Sequence, residues 1–243
     1  MLKEQFFSEL NGLIRKVCET QTKNIERAAE AIADAMARGR CIHIYDTGHM
    51  LDSELINRAG GLTAFRALRV RFEVDDDVRL RPDHPEVDRS LDGYMRYALK
   101  ASRVQPGDVL IIGSVSGKTV HPVDLALAAK QFGVYVIGMT SVAYSSQLKS
   151  DHSSGMRLFE AADLVLDNCA PPMDAMVQVP GAGAAICPAS GLAASAIMWA
   201  VTAHTVELLQ EKNIKPSILK SINNPGSAEH NELCYRQYAE TGY

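Results

Sequence analysis

Short β-branched and aliphatic runs alternate with helix-patterned stretches along most of this chain, and that alternation constrains the fold more than any other feature. The strand-like runs are CIHIYDTG (41–48), DVLIIGS (108–114), VYVIGMTS (134–141) and the second half of LFEAADLVLDN (158–168), whose first half reads as a short helix. LTAFRALRVRFE (62–73) is a further, less regular strand candidate. Between them lie HMLDSELINRAGG (49–61), read as a helix stopped by Gly60-Gly61, YMRYALKASRV (94–104), and HPVDLALAAKQFG (121–133), stopped at Gly133. Strands alternating with helices predict a parallel sheet with helices on both faces.

The remainder is assigned by pattern. Apolar residues recur at helical spacing from Phe6 to Met36, so 2–39 reads as a helical N-terminal arm of one or two helices. Residues 190–214 form one long apolar-faced helix, 73–93 look like an irregular insertion, and 214–243 read as a polar C-terminal tail. No repeat, low-complexity tract or linker interrupts the chain, so its 243 residues are expected to form one domain.

A net charge of −4 argues against a nucleic-acid partner, and no basic segment or helix-turn-helix pattern appears. Local donors can still bind a small anion whatever the net charge. Five cysteines without a C-x-x-C pair read as reduced thiols, which points to the cytoplasm. The N-terminus has no signal-peptide pattern, and no run approaches the 18 apolar residues that a membrane span requires.

The chemistry gathers at the ends of the predicted strands: YDTGH (45–49), GSVSGKT (113–119) and MTSVAYSS (139–146). In an open parallel sheet, ligands bind beyond the carboxyl ends of the strands. Ser114, Ser116 and Thr119 stand beside the start of a helix, whose free N–H groups and dipole favour an anion. A single helix cap accounts for one hydroxyl, not three within six positions, so the turn is read as a site for a phosphorylated small molecule. It is not a P-loop, because Ile112 stands where that motif needs glycine. A dinucleotide fingerprint is also absent, since the first turn holds one glycine where three are needed. The seven histidines are scattered. His230 and Cys234 sit four apart, but two ligands do not make a zinc site, and no metal or cofactor is expected. His43, in a strand, and His204, on the long apolar helix, are read as structural.

These residues carry a resemblance. GSVSGKT with the helix that follows resembles the S-x-S-G-x-T phosphosugar signature of the SIS (sugar isomerase) domain family. YDTGH occupies the place of that family's first loop, and MTSVAYS resembles its T-S-x-x-x-S segment. RAGGL, HSSGMRLFEAADLVLDN and NNPGSAEHN are similar to a bacterial subgroup of stand-alone members described as phosphosugar, or phosphoheptose-type, isomerases. The resemblance runs from about residue 5 to the C-terminus. It implies a three-layer αβα sandwich around a five-stranded parallel sheet. It also implies phosphate held by Ser114, Ser116 and Thr119 with Gly48 and Gly117, helped by Ser141 or Ser145, and a homodimer or homotetramer. Lys118 sits where the family varies and receives no role. The first loop departs from the subgroup's G-C-G-H-S-H-M pattern: Asp46 and Thr47 replace its start, and about two residues are missing.

An aldose–ketose isomerisation needs a base to move a proton between C1 and C2, and an acid to open the ring. The resemblance suggests Glu54 as the base, because phosphoheptose-type relatives carry a Glu on the corresponding helix. Their catalytic His on the last long helix falls near Trp199 here, so that role is not carried over. His230, in the polar tail, is the first candidate acid, completing a site within the chain or across a subunit boundary, and His49 follows. A sugar-phosphate lyase or etherase, and a non-catalytic phosphosugar sensor, are the alternatives.

Overall fold

The computed structural model describes residues 1–79, 81–83 and 91–243. Five strands form one all-parallel sheet: β1 (Ile42–Asp46), β2 (Phe65–Ala67), β3 (Val109–Gly113), β4 (Tyr135–Thr140) and β5 (Leu164–Asp167), in the order β2-β1-β3-β4-β5. Ile44 is in register with Ala67 on one side and Ile111 on the other, and Ile111 with Ile137. β3 is buried at every position, as a central strand covered on both faces must be. Its side chains alternate, so Val109 and Ile111 enter one core while Leu110 and Ile112 enter the other.

On the first face lie α1 (Leu2–Ala37), the one-turn α2 (Asp52–Leu55) and α7 (Ser190–Glu211). On the second lie α3 (Met95–Ala101), α4 (Val120–Gln131) and the one-turn α6 (Leu158–Ala161). This is the predicted αβα sandwich. The one-turn α5 (Val142–Ser145) follows β4, and α8 (Ser227–Thr241) ends the chain. A small antiparallel pair, β6 (Ala175–Gln178) with β7 (Ala185–Pro188), precedes α7 and was not foreseen.

The 2–39 arm is a single helix, α1, of 36 residues. Its second half is core: Ala28, Ala29, Ile32, Ala33 and Met36 are wholly buried. Its first half contributes Leu13 and Val17 to the core, but its free end does not, with Phe7 60% exposed. α7 is long and apolar enough to cross a membrane by length and composition. Here Ala193, Ala194, Ile197, Met198 and Val201 are fully buried in the first core, which is the behaviour of a core helix.

Two expectations need correction. The helix predicted over 49–61 lasts one turn, because Ile56 is extended and Asn57 adopts a positive φ of 55°. The 214–243 tail, read as a polar segment, also contributes to the core: its second half is α8, whose Cys234 is buried and whose Tyr238 packs against the first core. The insertion over 73–93 is irregular as expected, with neither helix nor strand at 73–79, 81–83 and 91–93; the rest of it lies outside the described residues.

Candidate functional site

A cavity of about 1080 Å³ opens at the carboxyl ends of β1 and β3. Its walls are the loop from Asp46 to Asp52, the segment from Leu68 to Arg71 after β2, and the turn from Ser114 to Pro122. Ligand-binding crevices of parallel sheets form at this place because the strand order reverses there; here β1 connects outward to β2 while β3 leads the other way.

Ser114, Ser116 and Thr119 all line the cavity. Thr119 is the N-cap residue of α4, yet its hydroxyl makes no capping bond. Among the described residues, the N–H groups from Ser116 to His121 donate to no protein acceptor. Pro122 falls in the first turn of α4, where its missing N–H costs nothing. The turn therefore presents a run of unused backbone donors, three hydroxyls and the positive end of a 12-residue helix to one cavity. Gly117 makes this shape possible. Its φ is +56°, and a Cβ would lie 3.0 Å from Thr140 Oγ1 and 3.1 Å from Leu158 Cβ. Lys118 pairs at 2.8 Å with Asp151, itself part of the cavity wall.

The first loop is built differently. Asp46 folds it by accepting from Gly48 N at 3.2 Å and from Leu51 N at 2.7 Å. Gly48 lines the cavity, but its N–H is already used, so it brings no free donor. The charge of Asp46 is thereby directed into the loop's own amides rather than toward the 114–121 turn.

A family model described as the SIS domain matches residues 5–141. The chain belongs to the SIS domain family. It is 36% identical over 241 residues to a UPF0309 protein of Streptomyces griseus, covering 98% of this chain and 96% of the relative. It is 31% identical over 239 residues to a UPF0309 protein of Geobacillus thermodenitrificans, covering 98% and 95%. A phosphoheptose isomerase structure from Francisella tularensis superposes with a TM-score of 0.50 at 12% identity, covering 85% of this chain and 96% of that one, a likeness of fold alone.

Within this SIS domain, the other expected site residues separate. His49 lines the cavity and is exposed, beside Gly191 in the first turn of α7. Ser141 does not line it: its hydroxyl donates to Ala170 O at 2.7 Å and accepts from Tyr144 N at 3.2 Å, capping α5. Ser145 is fully buried behind Gly117, and its hydroxyl has no partner. Glu54 lies outside the cavity wall. It accepts from Trp199 Nε1 at 3.2 Å and pairs with Arg58 at 3.2 Å, which faces it toward α7.

His230 sits within its own chain on the side of the strands' amino ends, not the carboxyl ends. Its Nε2–H donates to Ile218 O at 2.9 Å, and Ile218 bridges to Leu62, just before β2. His230 thus does not line the cavity of its own chain: the turn before α8 and the pairing of 217–219 with 60–63 hold it elsewhere.

Asp52, Arg69 and His121 line the cavity without having been singled out from the sequence. Asp52 stands at the first position of α2, and its Oδ2 accepts from Arg69 at 3.3 Å. Its Oδ1 is shut from solvent without a partner. Burial raises the Asp52 pKa above the ordinary 3.8; Arg69 partly offsets this, and the Asp46 carboxylate adds to it.

Asp92, Asp124 and His152 bring three ligand-type atoms within 4.8 Å of one another. However, His152 Nδ1 accepts from Ser154 N at 3.0 Å, so Nε2 keeps the ring proton; it lies 2.8 Å from Asp92 Oδ1 and 3.7 Å from Asp124 Oδ1 without a hydrogen bond to either. A metal needs that nitrogen bare. With Asp124 also accepting from Met95 N at 2.8 Å, the trio ties the start of α3 to α4.

Proposed function

We propose that this chain binds a sugar monophosphate and interconverts its aldose and ketose forms by proton transfer. The observation that supports the reading is the turn from Ser114 to His121. Unpartnered N–H groups, three hydroxyls and a helix N-terminus converge on a cavity large enough for a small metabolite. Phosphate is a tight match for such donors, because each bond to it is charge-assisted. The sugar then extends toward the 46–52 loop and the 68–71 segment, where carboxylate, guanidinium and imidazole groups gather. A lyase or etherase acting next to a sugar carbonyl would begin with the same proton abstraction. A non-catalytic sensor is the second reading, favoured by the engagement of Glu54 with Trp199 and Arg58.

A thermal-shift panel of pentose, hexose, N-acetylhexosamine and heptose monophosphates tests the reading, since a ligand of the folded state stabilises by mass action. Monophosphates should raise the melting temperature, and the unphosphorylated sugars should not. Ser116→Ala should weaken binding of the best compound by about 1–3 kcal/mol in calorimetry. Equal affinity in wild type and variant would show that the phosphate lies elsewhere. Isomer interconversion followed by NMR separates enzyme from sensor.

A further inference from the structure

We infer that Asp52, rather than Glu54, is the carboxylate that moves the proton between C1 and C2; this rests on the isomerase reading above. The two side chains are two residues apart on a one-turn helix, and only one of them faces the cavity. Asp52 is part of its wall, whereas Glu54 is held by Trp199 and Arg58 outside it.

The surroundings of Asp52 suit a base. Its side chain is 27% exposed, but Oδ1 contributes nothing to that exposure and has no hydrogen-bond partner. A carboxylate oxygen left dry and unpaired is costly in a folded protein and calls for an explanation. Half-desolvation supplies one: it raises the affinity of the group for a proton, and Asp46 nearby acts in the same direction. Oδ1, shut from solvent, is shut from the open cavity too, so Oδ2 is the oxygen that meets the substrate; Arg69 donates to it at 3.3 Å and fixes its direction. Its guanidinium also stands at the cavity wall as a donor for the oxygen on which charge develops.

The step balances without any co-reactant. The Asp52 carboxylate takes the proton from C2 of the open-chain aldose. The C–H electron pair becomes the C1–C2 double bond, and the carbonyl oxygen at C1 takes a proton from a water molecule in the cavity, giving the enediol. Asp52 then returns its proton to C1 as the C2 hydroxyl gives its own proton back to the hydroxide that this water became, and C2 becomes the carbonyl.

The experiment uses the monophosphate that gives the largest thermal shift, dissolved in D₂O, and follows deuterium entry at the carbon next to the carbonyl by NMR. Asp52→Asn should bind it within about threefold of wild type and lose exchange by a factor of about 10²–10⁴, the usual worth of a general base. Asp52→Glu should retain measurable exchange, which separates a lost proton carrier from a damaged fold. Glu54→Gln should exchange within about tenfold of wild type, with a lowered melting temperature. Exchange at the wild-type rate in Asp52→Asn, or its loss in Glu54→Gln alone, overturns the assignment. If the wild type binds no monophosphate, the isomerase reading falls and the base with it. If it binds but exchanges no deuterium, phosphate recognition stands and the base assignment fails.

Discussion

At Asp108 a single buried carboxylate gathers the amino ends of two strands. One oxygen accepts from Cys41 N at 3.0 Å, and the other accepts from Gln105 N at 2.9 Å and contacts His43 Nε2 at 2.9 Å. Burial pulls its pKa upward, but these hydrogen bonds outweigh burial and hold the group below the ordinary 3.8. A depressed native pKa means that the unfolded chain binds the proton more readily. The stabilisation is thus complete above the ordinary carboxylate value and is lost as pH falls through the lower native value. Melting temperatures of wild type and Asp108→Asn should therefore differ most at neutral pH and converge below about pH 3.8. A constant difference down the acid range would show that the ionised state of Asp108 is not what holds the strands. His43, expected from its strand position to be structural, is explained by the same contact.

Among the elements, α8 is the one whose role changed most between sequence and structure. It reads as polar because only one side of it is buried. Arg66 stacks on the rings of Tyr238 and Tyr235, at 4.3 and 5.3 Å from their centres. Tyr235 also reaches Asn57 at 3.2 Å. The helix thus closes the β2 edge of the sheet. His230→Ala should lower stability by about 1 kcal/mol through the lost bond to Ile218 O. Sugar-phosphate affinity, measured by calorimetry, should stay unchanged. A drop in affinity of tenfold or more would mean that α8 completes the site of a neighbouring subunit, reinstating the role expected of His230.

For the whole molecule, the surface that the fold leaves uncovered is informative. Leu2 and Phe7, at the free end of α1, are 41% and 60% exposed, and Ile222 and Leu233 near the start of α8 are 86% and 60% exposed. A helix of 36 residues is ~54 Å long, more than the sheet beneath it can cover. We expect these apolar side chains to be buried in a homo-oligomer, because exposed apolar groups on a long amphipathic helix gain most by pairing with a copy of themselves. Light scattering at micromolar concentration should give a mass at least twice that of the chain. A monomer mass would show that the free end of α1 stands in solvent.

Local pattern carried the architecture. Alternation at period two and at period 3.6 belongs to neighbouring residues, so β1, β3, β4, α4 and α7 were legible, as was the hydroxyl turn at the end of β3. β2 was faint because an edge strand of three residues offers too short a pattern. What the sequence could not contain was the direction in which each side chain points after the chain has packed. Asp52 and Glu54 look alike in a string, but on a helix they point about 200° apart. The choice between them was made by Trp199, 145 residues away, which draws Glu54 toward α7 and leaves Asp52 at the cavity. The burial of His152 between Asp92 and Asp124, and the docking of His230 on Ile218, are likewise contacts between distant segments. Hydrophobic periodicity records which face of an element is covered; it holds no record of which distant element covers it, and that pairing decided which polar residues reached the site.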